Sequence, residues 1–280
     1  MTLALHIGLP KTASTHLQKH VFPTFLSDCQ YAFGEDAKRM LRTGSIPKEQ
    51  TLLLSAEAWS NSLWGGGYTN NFHRFLSQVE KLRRDDIKIL FFIRDHEEWL
   101  ISAYLQLAKA AFFKPRTFSK FITMFDQADI SWAQRISDLN DYPIFVCRYE
   151  DFFKQPDIWT DKMADFIGLE RYERDCLDNV SSRINLTPKT AISLALVRSV
   201  TVTTEFPDMV LKKMTGQRVL FGGNGRADFI RVWLRDKLIT LADGIPGLLP
   251  IKDRFLNEIP RDMRSFFSDD IEKCREYIES

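Results

Sequence analysis

Near the start of the chain one glycine, one lysine and three hydroxyls fall within eight residues, Gly8-Leu9-Pro10-Lys11-Thr12-Ala13-Ser14-Thr15. These types at this spacing suit the binding of an anion. Glycine lets the backbone turn tightly, Lys11 brings a mobile full charge, and the hydroxyls of Thr12, Ser14 and Thr15 donate to phosphate oxygens at short range. The apolar run Leu3-Ala4-Leu5-His6-Ile7 before the loop reads as a strand, and the stretch from about Ser14 to Leu26 as an amphipathic helix. A helix opening at Ser14 aims unsatisfied N–H groups and the positive end of its dipole at the loop. The nucleoside-triphosphate form of such a loop, G-x-x-x-x-G-K-[ST], is absent, because Lys11 follows the glycine by three residues.

Three further groups carry chemistry. The apolar strand Ile87-Lys88-Ile89-Leu90-Phe91-Phe92-Ile93 delivers Arg94, and Ser102 follows eight residues later on the next helix. Ile144-Phe145-Val146-Cys147 leads in the same way into Arg148-Tyr149-Glu150-Asp151. Glu57 stands two residues beyond a buried strand, Thr51-Leu52-Leu53-Leu54-Ser55. Ligands of parallel sheets gather beyond the carboxyl ends of the strands, so a partly desolvated carboxylate there suits general-base work. His6 reads as a core histidine within the first strand. His16 and His96, on helical stretches that mostly face water, are held in reserve as alternative bases.

Taken in order, these segments resemble the sulfotransferases that use 3′-phosphoadenosine 5′-phosphosulfate (PAPS). G-x-P-K-T-x-[ST]-T resembles the family's phosphosulfate loop, which implies that Pro10, Lys11, Thr12, Ala13, Ser14 and Thr15 bind the nucleotide. Arg94 and Ser102 match the pair that holds its 3′-phosphate, and Arg148-Tyr149-Glu150-Asp151 resembles the family's R-Y-E-D segment. Glu98-Trp99-Leu100 and Ser102-x-Tyr104-x-Gln106 are similar to bacterial members of the carbohydrate-type branch. The matches cover about the first 150 residues. They imply a P-loop-type three-layer α/β fold, PAPS as sulfuryl donor, PAP as product, no metal, and a small-molecule or carbohydrate acceptor. Lys11 and Glu57 are the implied catalytic residues, although other branches use histidine as the base. Two departures stand out: Ala13 replaces the usual glycine, where its methyl could crowd the sulfate, and Asp95 and His96 replace the frequent residues of the turn after Arg94.

With 280 residues and 44% apolar content the chain can bury a full core. Strand and helix alternate through the first half, which predicts a parallel sheet, and helices dominate after Arg148, at about 158–167, 188–203, 227–241 and 269–279. One domain over 1–280 is expected, with a nucleotide-binding core over about 1–155 and a mainly helical acceptor-side part over about 156–280. A net charge of +1 excludes a broad nucleic-acid footprint, so anion binding must be local. Four cysteines without a C-x-x-C pair indicate neither a disulfide framework nor a zinc site and suit the cytoplasm. No signal peptide and no membrane span are expected.

Trp59 to Gly67 reads either as a mobile lid or as a surface loop whose tryptophans cover core edges. Ser181 to Leu186 resembles a family segment near the nucleotide and Gly222 to Arg226 a second anion-binding turn; both are set aside, since a Gly-rich turn between helices is more often just a turn and its arginine more often solvated than ligating. Two rivals remain open at this point, a P-loop small-molecule kinase and a catalytically inactive nucleotide-binding homologue. The lysine spacing, and the lack of a strand-end Asp free to hold Mg²⁺, count against the first; Ala13 is the support for the second.

Overall fold

The computed structural model describes residues 2–47, 50–59, 68–108, 117–170 and 251–279. Its centre is a parallel sheet of five strands: β1 (Leu3–His6), β2 (Gln30–Phe33), β3 (Leu52–Ser55), β4 (Ile87–Ile93) and β5 (Ile144–Arg148), in the order β2-β3-β1-β4-β5. The continuous apolar runs of β1, β3 and β4 are what a strand buried on both faces requires. Every side chain of β1 and β3 is buried. β2, at the edge, is exposed at both ends (Gln30, Phe33) and half-buried in the middle (Tyr31, Ala32).

The helices are α1 (Ser14–His16), α2 (Gly34–Thr43), α3 (Tyr68–Lys81), α4 (His96–Leu107), α5 (Phe118–Ile122), α6 (Gln127–Ile130), α7 (Trp132–Ser137), α8 (Tyr149–Lys154), α9 (Pro156–Ile167), α10 (Ile251–Glu258) and α11 (Arg261–Glu279). The α/β fold with a central parallel sheet flanked by helices is therefore the one expected. Beyond β5 every element among the described residues is a helix. The expected segments 188–203, 227–241, 181–186 and 222–226, and most of the stretch read as a lid, lie outside the described residues.

Several local expectations need correction. The helix after the first loop changes character along its length: α1 gives way to a π-helical turn, Leu17–Val21, and then to a 3₁₀ run, Phe22–Ser27, with Pro23 at its start. β2 and α2 occupy a stretch that reads as a polar connection, since a short edge strand and a helix with only Ala37 and Leu41 buried leave little apolar signal. Of the two readings of the stretch from Trp59, that of a tryptophan covering a core edge is the one that holds for Trp59 itself. It is 5% exposed, closes a 3₁₀ turn with Glu57, and lies 5.3 Å from the Phe75 ring.

The chain forms two compact units, one of 1–99, 125–182 and 262–280, the other of 100–124 and 183–261. In the first, Ala4, Leu53, Leu90, Phe92 and Cys147 of the sheet pack with Phe22, Phe25, Phe152 and Met163. α11 is fastened in this unit through Asp270. That buried carboxylate accepts from Ser131 Oγ (2.5 Å) and the Trp132 amide (2.6 Å) and lies 3.1 Å from His96 Nε2. In the second unit, Phe255 of α10 packs against Phe118 (4.6 Å between centroids) and Tyr104 (5.2 Å). Among the described residues no helix is long and apolar enough to cross a membrane.

β1 lies between β3 and β4, with the register His6↔Ser55 on one side and His6↔Leu90 on the other. From β1 the chain goes to the edge for β2, returns for β3 between them, and then crosses to the other side of β1 for β4 and β5. The carboxyl end of β1 is thus a topological switch point, where ligands of open α/β sheets bind.

Candidate active site

Gly8 follows β1 at that switch point and has no room for a side chain. A Cβ there would collide with Ser14 Oγ and would lie 2.7 Å from His6 Nε2 and 2.8 Å from His6 Cε1. The loop beyond it is held in a demanding shape: Lys11 (φ 72°) and Ala13 (φ 69°) both adopt the left-handed conformation. For a residue with a Cβ this costs about 1–2 kcal/mol. Such a conformation persists only where its surroundings over-determine it, and it is common at functional sites. The positive φ also explains why glycine suits position 13. The Ala13 methyl packs against the hydrophobic core rather than standing free.

Three successive carbonyls of the loop are taken by side chains. Leu9 O accepts from Thr12 Oγ1 (2.7 Å) and Ser14 Oγ (3.2 Å), Pro10 O from Trp99 Nε1 (2.8 Å), and Lys11 O from Arg94 Nη1 (3.2 Å). The helix ladder starts late, with the His16 and Leu17 amides both bonding to Ala13 O. The amides before them, at Ser14 and Thr15, are those a helix start leaves for an outside acceptor. Thr12 is fully buried with its hydroxyl on Leu9 O, and of the loop's two other hydroxyls Ser14 is buried and Thr15 exposed.

Those two hydroxyls meet Glu57. Both hydrogen-bond its carboxylate, and the Lys11 charge acts on it. Ser14 has one hydroxyl proton, so it serves Leu9 O or Glu57 but not both at once. Burial raises the Glu57 pKa in spite of Lys11 and the two hydroxyls. Burial likewise lowers the pKa of Lys11, helped by the like charge of Arg94 and opposed by Glu57. Desolvation therefore outweighs the attraction between the pair, and each is drawn toward its neutral form.

Arg94, just past β4, is wrapped by residues of its own helix and of the segment after β5. The pairing Ile93↔Arg148 sets the two strand ends side by side. Tyr149 lies under the guanidinium, 4.4 Å from its ring centroid, with Glu98 at 3.7 Å and Glu150 at 3.9 Å. Arg94 Nε is buried and has no hydrogen-bond partner. Asp95 shapes the following turn: its Oδ1 accepts from the Glu98 amide and its carbonyl from the Trp99 amide.

The structure therefore brings Pro10, Lys11, Thr12, Ala13, Ser14, Thr15, Glu57 and Arg94 to one region of the first unit. Ser102 stands half-buried on the part of α4 that belongs to the second unit. Neither reserve histidine faces water. His16 is 9% exposed, with burial and the nearby His20 lowering its pKa to about 4. His96 is 1% exposed and stacked between Trp132 and Phe267. Both α4 and the first helix carry apolar residues around most of their circumference, which hides the direction of a single histidine. Trp99, Tyr149 and Glu150, which surround Lys11 and Arg94, stand within the matching segments, but nothing in the sequence gives them a role at the site.

No curated protein matches the chain. Among solved structures it is similar to mouse sulfotransferase SULT7A1 complexed with PAP, at 13% identity and a TM-score of 0.43, over 98% of this chain and 85% of that one. It is also similar to a sulfotransferase from Alicyclobacillus acidocaldarius (14%, TM-score 0.43, 78% of this chain and 97% of that one). A third is retinol dehydratase in complex with retinol and PAP (11%, TM-score 0.44, 97% and 81%). Residues 69–189, which include Arg94, Ser102 and the segment after β5, match the model of the sulfotransferase domain.

Proposed function

We propose that the protein transfers the sulfuryl group of PAPS to a hydroxyl or amine of a small-molecule or carbohydrate acceptor and releases PAP. The observation that carries the reading is the grouping of Lys11, Arg94 and Glu57 around one strained loop at the switch point of the sheet. The residues fit the donor: two cations approach the loop, its carbonyls are committed to protein donors, and a buried Arg94 Nε lacks an acceptor.

PAPS supplies an activated sulfuryl group whose S–O bond to the phosphate breaks as the bond to the acceptor forms. Lys11 would stabilise the negative charge that develops on the departing oxygen, an interaction stronger in the transition state than in the ground state. Pro10, Thr12, Ala13, Ser14 and Thr15 would hold the phosphosulfate with it. Arg94, together with Ser102, would hold the 3′-phosphate. Glu57 would take the acceptor proton, and its raised pKa brings its basicity closer to that task near neutral pH. The residues from about 156 onward would contribute most of the acceptor side, and the buried free thiols Cys29, Cys147 and Cys274 accord with a reducing cytoplasm.

The test is incubation with PAPS or ATP and a panel of sugars, phenols and amines, with and without EDTA. PAP formation from PAPS, unaffected by EDTA and at least about a hundredfold slower in Lys11→Ala, is expected. EDTA-sensitive transfer from ATP would replace the reading with a kinase. Tight PAP binding without transfer would leave a nucleotide-binding homologue.

A further inference from the structure

The conformation of Lys11 is imposed from outside the loop. Its φ and ψ are rotations of the two peptide planes that meet at its Cα. Pro10 O belongs to the first plane and Lys11 O to the second, and each is bonded by one side chain of the β4–α4 connection, Trp99 Nε1 at 2.8 Å and Arg94 Nη1 at 3.2 Å. We propose that Trp99 is a positioning residue for sulfuryl transfer: its indole N–H fixes the plane before Lys11, as Arg94 fixes the plane after it, and the pair holds Lys11 in the left-handed conformation. This rests on the role proposed for Lys11.

The indole is itself precisely held. Trp99 is fully buried, its amide bonds to Asp95 O at 2.8 Å, and its ring meets Trp132 edge to face at 5.4 Å and Phe125 at 5.8 Å. Trp132 donates its own Nε1 to Arg94 O at 2.8 Å, so the backbone of the second clamp is anchored by the ring that packs against the first. A buried aromatic needs only its ring to fill space, and Phe would serve. The N–H is an additional feature, aimed at the one carbonyl of the three that receives no donor from the loop itself or from Arg94. The arrangement also ties the two phosphate motifs together: the β4–α4 connection that carries Arg94 sets the backbone of the loop that carries Lys11.

The experiment is Trp99→Phe, which keeps the ring and deletes the donor, with Trp159→Phe as a control for loss of a buried indole elsewhere in the same unit. A second variant replaces Trp99 with benzothienylalanine, whose sulfur takes the place of the N–H at nearly unchanged shape, should Trp99→Phe fold poorly. In the ligand-free protein the Thr12 amide, bonded to Leu9 O, should exchange with solvent about tenfold faster in either Trp99 variant. PAP affinity should fall about tenfold, while affinity for adenosine 3′-monophosphate, which lacks the 5′-phosphate, stays within about twofold. A Trp99 that only fills the core would weaken both ligands alike or neither, and unchanged Thr12 exchange with unchanged PAP affinity would overturn the proposal. If the wild-type protein binds no PAP, the proposed function fails, whereas exchange at Thr12 still decides whether Trp99 holds the loop.

Discussion

Gly8→Ala tests whether the loop can exist in its observed form only when position 8 has no side chain. Gly8 is not at positive φ, so its backbone is open to alanine and the penalty must come from crowding. The new methyl would press on Ser14 Oγ and lie 2.7–2.8 Å from the His6 ring, closer than Cβ contacts occur. His6 cannot retreat. It is fully buried, its Nδ1 is 2.7 Å from Ser55 Oγ, and its ring meets Phe22 at 5.0 Å and Phe92 at 5.7 Å. Ser14 can rotate, losing its contact with Leu9 O and adopting a poorer rotamer, each costing on the order of 1 kcal/mol. The expected loss is about 1–3 kcal/mol of stability, the usual range for an overpacked methyl, measured by urea unfolding, together with weaker PAP binding by calorimetry. Ser14→Ala in the Gly8→Ala background should return about 1 kcal/mol, because it removes the nearest clash, although Ser14→Ala alone removes a hydrogen bond. A Gly8→Ala protein within about 0.5 kcal/mol of wild type, with unchanged PAP affinity, would refute the reasoning, as would a double variant no better than the single one.

Glu57→Gln should keep PAP affinity and lose roughly two to four orders of magnitude in turnover. Its effect on stability has a definite sign. The folded pKa is raised by burial above the unfolded value of about 4.3, so the carboxyl's contribution is present below that pH and is lost as pH rises through the folded pKa; the glutamine variant should gain on wild type as pH rises from about 4.3 to the folded pKa, and a widening deficit over that rise would refute this. Arg94→Ala should cost about 1.5–3 kcal/mol in PAP binding and also loosen the Lys11 loop, whose carbonyl loses its donor; calorimetry showing unchanged PAP affinity would remove Arg94 from the site. Ala13→Gly relieves the left-handed strain but gives up a packed methyl and chain stiffness, so stability should stay within about 1 kcal/mol and PAP affinity should not fall; a tenfold loss would show that the methyl serves the nucleotide.

The strands that bear the site were legible because β1, β3 and β4 are almost wholly buried and read as apolar runs interrupted only by His6, Ser55 and Lys88, which end just before Gly8, Glu57 and Arg94. The edge strand β2 was not, since Gln30-Tyr31-Ala32-Phe33 has neither an unbroken apolar run nor a fully buried face. Lys11, Arg94 and Glu57 could be placed at strand ends from spacing alone. Their mutual arrangement could not, because it depends on donors from distant parts of the chain: Arg94 reaches Lys11 O across 83 residues and Trp99 reaches Pro10 O across 89. The two histidines were misjudged for a related reason. A helix packed on several sides has no single wet face, and the partners that bury His96 come from α7 and α11.

The Asp270 contact bears on how the chain is made. It joins α11 to the head of α4 across 174 residues, and the same carboxylate holds Ser131 and the amide at the start of α7. During synthesis the sheet and the Gly8–Thr15 loop can assemble from early, mostly neighbouring segments, but His96 and the start of α7 wait for Asp270, which lies 174 and 138 residues further along the chain. Contacts so distant in sequence form late, since their loop-closure entropy must be met first. The elements that follow Arg94 are therefore locked by a segment made much later, and a nascent protein that has not yet reached Asp270 would hold the Lys11 loop without the carboxylate that fixes the helices after Arg94.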